Sequence, residues 1–247
     1  MPDALKWKAR KWVWMRLNPS WTLRSGLVIR VLNYNDWMIY NDIFVDGEYD
    51  VPIEQLVSDG ETTDGVRVLD LGGNVGFFSL RVADTFLRRA RTDFSILMVE
   101  GAPSTFKELN ERLEVNNGLL KDRIRTVNGL AGEKTGEARI AENPSHGENS
   151  IVLPTSGGKA VSFVDLDALT KSWDRIDLLK CDIEGAEELM LRSYPDLLRK
   201  TTRAVFEFHH DLCGIEYCRR RLAEAGLSSA RILREFGRCS VEYFSRP

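Results

Sequence analysis

From residue 66 onward the chain alternates short apolar runs with segments that are apolar along one side only. The first run breaks into a turn with three glycines in five residues: Val68-Leu69-Asp70-Leu71-Gly72-Gly73-Asn74-Val75-Gly76-Phe77. Residues 66–71 read as a buried strand, and 77–87 as a helix with Phe78, Val82 and Phe86 on one face. The pattern then repeats as strand 95–99, helix 103–115 and strand 123–130, and again as strand 176–183, helix 186–193, strand 203–208 and helix 215–225. A hairpin over 229–244 closes it. Alternation of this kind predicts an α/β fold, a doubly wound and mostly parallel sheet with helices on both faces. A hydrophobic share of 43% in 247 residues is enough to fill its core. Two segments break the rhythm. Residues 27–44 read as extended chain, suggesting a hairpin, and 131–160 is rich in Gly, Asn and Ser, which fits loops around a short antiparallel insertion. The predicted division is an extension over 1–55, followed by the α/β domain over 56–247.

Charge and cysteine usage narrow the class. A net charge of −3 gives no footing for general nucleic-acid binding. The four cysteines show neither a C-x-x-C pair nor a zinc-finger spacing, so reduced thiols and a cytoplasmic protein are expected. No apolar run approaches the roughly 18 residues of a membrane span, and no signal-peptide core follows the basic N-terminus. That N-terminus is distinctive. The first 30 residues hold seven Lys or Arg against one Asp, and Trp7, Trp12, Trp14, Trp21 and Trp37 are five of the six tryptophans. Three readings stay open for this arm: a peripheral helix on anionic lipid, an aromatic grip on a glycan, or a cap that packs on the rest of the protein or on a partner copy in a homo-oligomer.

In open α/β sheets ligands sit beyond the carboxyl ends of the strands. Asp70 through Gly76 lies at such an end, with spacing D-x-G-x-N-x-G in place of the G-x-G-x-x-G of dinucleotide sites. An acid there would repel a pyrophosphate but suits a ligand with a cationic group. Glu100, at the end of the second strand, is placed to accept hydrogen bonds from ribose hydroxyls. Together Asp70, Gly72, Gly73, Asn74, Gly76, Phe77 and Glu100 describe a site for adenosine joined to an amino acid, which is S-adenosylmethionine. The same turn without a ligand would need its glycines for geometry alone. A second segment, Ile176-Asp177-Leu178-Leu179-Lys180-Cys181-Asp182-Ile183-Glu184, gathers three ionisable side chains (Lys180, Asp182 and Glu184) in five residues at a strand end. Such crowding is costly unless the groups are paired or functional. A Lys–carboxylate cluster that caps the next helix is the structural alternative.

The segments VLDLGGNVGFFSL, MVEGAPSTFKELN, GENSI and VFEFHH, and above all IDLLKCDIEGAEELML, resemble the FkbM-type family of S-adenosylmethionine-dependent methyltransferases. IYNDIFVDGEYD resembles the lead-in such proteins carry, and the likeness covers roughly residues 35–210. It implies a seven-stranded Rossmann-like methyltransferase sheet with an antiparallel C-terminal hairpin. It also implies methyl transfer to a hydroxyl of a sugar, glycoside or other small natural product. Asn149 and Ser150 match the family's N-S pair. With Gly101 and Gly129 at strand ends, and Asp182, they join the expected cofactor set.

An alcohol must lose its proton to accept a methyl group, so a base or a metal is required. Candidates at the ends of the fourth and fifth strands are Lys180, Asp182, Glu184, Glu207, His209 and His210. His209 is the first choice for the base, on the same side of its strand as Glu207, and one of the two adjacent histidines is expected to be structural. Asp182 is the alternative partner for the acceptor hydroxyl or the cofactor amine. A Mg2+ ion held by Asp182, Glu207 and His209 is a second route. A macromolecular or lipid-linked glycan acceptor is the alternative to a small one, while nucleic acid is not expected as a partner.

Overall fold

The computed structural model describes residues 17, 19–58, 65–141, 150–152 and 158–247, with 150–152 as backbone only. Among them, twelve strands and nine α-helices follow the chain in the order β1 (Ser20–Thr22), β2 (Val28–Arg30), α1 (Tyr34–Tyr40), a π-helical turn (Asn41–Val45), α2 (Asp50–Ser58), β3 (Val66–Leu71), α3 (Phe77–Leu87), β4 (Phe94–Glu100), α4 (Pro103–Glu114), α5 (Asn117–Leu120) and β5 (Ile124–Asn128). A small sheet of β6 (Glu137–Ala141), β7 (Ser150–Val152) and β8 (Lys159–Ser162) comes next, then α6 (Leu166–Leu169), β9 (Leu178–Cys181), α7 (Glu187–Ser193) and α8 (Pro195–Arg199). The chain closes with β10 (Arg203–His209), α9 (Ile215–Glu224), β11 (Ser229–Phe236) and β12 (Cys239–Ser245).

Seven strands form the central sheet in the order β11-β12-β10-β9-β3-β4-β5. β5, β4, β3, β9 and β10 run parallel, and the β11–β12 hairpin joins antiparallel through β10. After β5 the chain returns to the far side of β3, so strand order reverses between β3 and β9. That switch point leaves a crevice at the carboxyl ends of the strands. Alternate residues face opposite layers: Val68 packs with α3 and the N-terminal elements, whereas Leu69 and Leu71 pack toward α7, α8 and α9. The predicted insertion is the three-stranded antiparallel β7-β6-β8 sheet.

The segment 27–44 departs from the extended reading, which holds only for β2. Asn33 caps a helix, its Oδ1 accepting the Asp36 N–H at 2.9 Å. Trp37, Tyr40 and Phe44 recur at helical spacing, and their rings stack in sequence at 5.9 and 5.1 Å between centroids. The β-prone side chains masked a period of 3.6. Leu27, Ile29, Ile43 and Ile53 are buried in the same cluster as Phe77 and Phe86, so this extension shares the core of the sheet. Among the described residues no helix is long and apolar enough to cross a membrane. Most of the Trp-rich arm, with Trp7, Trp12 and Trp14, and Asn149 of the N-S pair, lie outside the described residues.

Candidate active site

The glycine turn folds back on the sheet: Gly72 N–H and Gly73 N–H both donate to Val99 O at 3.0 Å. Gly72 has φ 74°, and a Cβ placed on it would lie 1.6 Å from Asp182 O, so the β3 and β9 strand ends approach as only glycine allows. Gly76, at φ 90°, precedes α3, and a Cβ there would sit 2.8 Å from Leu109 Cδ1. Two non-glycine residues also adopt left-handed backbone at the crevice, Asn74 (φ 46°) and Glu184 (φ 55°). Asparagine tolerates this conformation, whereas for glutamate it costs of order 1–3 kcal/mol and marks a place the surroundings hold by force.

Two cavities open at the strand ends. The smaller, about 70 Å3, is walled by bare or nearly bare backbone at Gly72, Gly101, Ala102 and Gly129, with Glu100 and Ile140 facing in. Glu100 is 7% exposed, and its carboxylate accepts from Asn74 N–H and Ala102 N–H at 2.8 Å each. Burial pushes its pKa up, against the pull of those two amides. The larger cavity, about 280 Å3, is lined on one side by Gly73, Phe77, Lys180 and Glu207. Met38, Asp42, Glu48, Tyr49, Arg234 and Phe236 form the other side. Gly72, Asn74, Asp182 and Glu184 border both cavities and form the seam between them. The expected site residues thus divide: Gly101 and Gly129 face the smaller space, Gly73 and Phe77 the larger. Gly76 and Asp70 line neither.

Asp70 does not present its carboxylate to a ligand as the sequence suggested. It is fully buried, accepts the Ser79 hydroxyl at 2.7 Å and lies 3.7 Å from Lys180 Nζ. The Lys180 ammonium is the cationic group it serves. Lys180 also donates to Gly72 O at 2.7 Å and pairs with Asp182 at 3.2 Å. Burial alone would lower its pKa, but Asp182 and Asp70 outweigh that and hold it charged.

His209 sits between two carboxylates, with Nε2 3.3 Å from Glu184 and Nδ1 3.4 Å from Glu187, the second an ion pair without aligned hydrogen-bond geometry. Burial pulls its pKa down, yet Glu184 and Glu187 push it up to about 12. Held as imidazolium at neutral pH, it has no lone pair for an acceptor's proton. His209 is therefore a fixed cation and not the free base expected of it. His210 turns away to Ser240 Oγ at 2.9 Å, as one member of the pair should. Glu207, two residues earlier on the same strand, is placed differently. It lines the larger cavity, and among the described residues it accepts no hydrogen bond. Burial, reinforced by Asp182, pushes its pKa up to about 9, against His209 and Lys180.

Asp182, Glu207 and His209 do not converge as one ligand set. Among the described residues the groups whose donor atoms lie within 4.8 Å of one another are Asp182–Glu184–His209 and Glu207–His209–Cys239. The second group has Glu207 as its one carboxylate, beside a thiol, and in the first both carboxylates already hold protein cations, Lys180 on Asp182 and His209 on Glu184. A hard cation would have to displace both, so the donor set does not fit Mg2+.

The sequence reading missed the outer wall: Met38, Asp42, Glu48 and Tyr49 from the extension, Arg234 and Phe236 from the closing hairpin. Arg234 Nη1 donates to Asp42 at 2.6 Å and to Glu48 at 3.0 Å, tying the two ends of the chain together. A run of acids between Asp36 and Glu54 with no Lys or Arg among them was the only signal. Glu187 was also underrated. Its Oε1 accepts Ile183 N–H at 3.1 Å and Gly185 N–H at 3.2 Å, which fixes the turn that carries Glu184.

A sheet in this order, with a glycine turn after β3, an acid ending β4 and ionisable groups ending β9, defines a Rossmann-like methyltransferase. The chain belongs to the methyltransferase FkbM domain family, whose match runs over residues 70–234. It is 26% identical over 179 residues to Methyltransferase 1 of Beauveria bassiana (strain ARSEF 2860), covering 64% of this chain and 67% of that one. It is 24% identical over 188 residues to Methyltransferase sdnD of Sordaria araneosa, covering 62% and 67%. Among solved structures, methyltransferase FkbM from Methylobacillus flagellatus KT superposes with a TM-score of 0.55 at 15% identity. That superposition takes in 98% of this chain but only 60% of the other.

Proposed function

We propose that the chain is an S-adenosylmethionine-dependent O-methyltransferase acting on a hydroxyl of a sugar, glycoside or other small natural product. The observation that carries this reading is the seam of Gly72, Asn74, Asp182 and Glu184, which borders a backbone-walled space with one buried acid and a roomier space with a carboxylate that accepts no hydrogen bond among the described residues. The first suits a nucleoside: Glu100 for ribose hydroxyls, and bare backbone at Gly72, Gly101 and Gly129 along its wall. Bound there, S-adenosylmethionine supplies a methyl group on a sulfonium, already a good leaving group. A volume near 280 Å3 suits one small moiety and not a macromolecular surface.

The residues then have distinct tasks. Glu207 accepts the proton of the acceptor hydroxyl. Asp182, at the seam and anchored by Lys180, aligns that hydroxyl with the cofactor space. His209 stays charged between Glu184 and Glu187 and holds the turn at the end of β9 in place. Glu48 and Arg234 close the far wall.

Calorimetric titration with S-adenosylhomocysteine tests the first half of the reading, and micromolar binding is expected. Glu100→Ala should weaken that binding by roughly 1.5–3 kcal/mol, the worth of hydrogen bonds to a charged group. Unchanged affinity in the variant would remove Glu100 from the nucleoside site. Chelation tests the metal-free chemistry. Turnover followed by S-adenosylhomocysteine release should be the same in EDTA as in buffer with Mg2+, and a collapse in EDTA would reinstate the metal route.

A further inference from the structure

The closing part of the chain holds two thiols whose spacing is set by a helix start. Gly214 caps α9, and Cys218 N–H donates to Gly214 O at 3.0 Å. Cys213 is thus the residue before the cap and Cys218 the fourth of the helix, the two positions whose side chains meet across a helix N-terminus. Apolar residues usually fill this pair, and a buried thiol can serve as a small one. Here both are cysteines, 9% and 0% exposed and packed in the same buried cluster. The Cys213 thiol also donates to His209 O at 3.3 Å, so the pair abuts the end of the strand that carries Glu207 and His209.

We propose that Cys213 and Cys218 are a redox-sensitive dithiol that hydrogen peroxide converts to an intramolecular disulfide. The two thiols are not equivalent. Cys213 sits against His209 O, and the Cys218 thiol beside it, with the His209 cation, lowers its pKa, whereas burial raises those of Cys181 and Cys239. Cys213 is therefore the attacking sulfur. Its thiolate displaces hydroxide from peroxide. An S–O bond forms, the O–O bond breaks, and the leaving hydroxide takes the thiol's proton to become water. The Cys218 sulfur then attacks the sulfenic acid. The S–S bond forms, the S–O bond breaks, and the second hydroxide leaves with the Cys218 proton as water. Two electrons pass from the two sulfurs to peroxide. The bond removes the Cys213 donor from His209 O. This inference stands independently of the methyltransferase reading.

The full chain, reduced, freed of reductant and treated with hydrogen peroxide, is digested with trypsin and analysed by mass spectrometry. Cys213 and Cys218 fall in one tryptic peptide, 204–219. That peptide should lose two hydrogens, resist alkylation and recover both thiols with dithiothreitol, ahead of any change at Cys181 or Cys239. In Cys218→Ser, peroxide with dimedone should label Cys213, because the sulfenic acid has no second thiol to resolve it. Two free thiols after treatment, or earlier oxidation of Cys181 or Cys239, would overturn the proposal. So would direct passage of the wild-type peptide to a sulfonic acid.

Discussion

Replacing Glu207 by glutamine should lower kcat by about two to four orders of magnitude, the usual worth of a positioned general base. Glutamine keeps the volume and loses only the proton acceptor, so affinity for S-adenosylhomocysteine should not move. The pH profile separates this role from a structural one. A carboxyl raised to about 9 is mostly protonated at pH 7, and its ionised fraction grows tenfold per pH unit until that value. Wild-type turnover should therefore climb between pH 7 and about 9 and then level, while the residual rate of Glu207→Gln stays flat over that range. Lys180, Asp182, His209 and Glu48 are the charged groups acting on Glu207. A variant that kept both the turnover and the alkaline rise would take the base away from Glu207.

Asp36→Ala should be the most damaging change outside the site. Asp36 and Arg112 pair at 2.7 Å with side chains 1% and 3% exposed. Asp36 Oδ2 also accepts Leu32 N–H at 2.7 Å, and Arg112 donates to Arg30 O. Truncation leaves a buried guanidinium with only the more exposed Glu108, at 3.4 Å, as countercharge, which costs up to about 3–5 kcal/mol. At roughly 2–4 °C per kcal/mol for a chain of this size, Tm should fall by about 6–20 °C in scanning calorimetry. Asp36→Asn, which keeps a hydrogen-bond acceptor, should fall between the two. A loss below about 1 kcal/mol would mean the pair is solvated, since exposed pairs are worth no more than that.

The strand–turn–helix units were legible because each is a local pattern. The apolar run before Gly72 and the 3.6-residue spacing of Phe78, Val82 and Phe86 carry their own signals, and the structure places β3 and α3 there. The extension misled because Tyr, Trp and Ile favour strands while their spacing favoured a helix, and the Asn33 cap settled the outcome. At the site, which ionisable residues stand at the strand ends could be read, but not their partners. Asp70 looked like a ligand group because nothing in a linear sequence shows that Lys180 lies beside it, 110 residues away. His209 looked like a base for the same reason: its charge is fixed by Glu184 and Glu187, brought in by the neighbouring strand. A side chain's chemistry is local, whereas its protonation state is a property of the fold.

The tie between Arg234 and Asp42 spans 192 residues of chain. On the ribosome, the first half of the larger cavity's outer wall is made 192 residues before the second, and it waits without its counterpart for that interval. A nascent chain that has reached β10 already holds every residue lining the smaller cavity, yet the larger one lacks Arg234 and Phe236 until the closing hairpin emerges. With the cofactor in the smaller space and the acceptor in the larger, as proposed, the parts for methyl-group supply are complete in the chain before those for methyl-group placement.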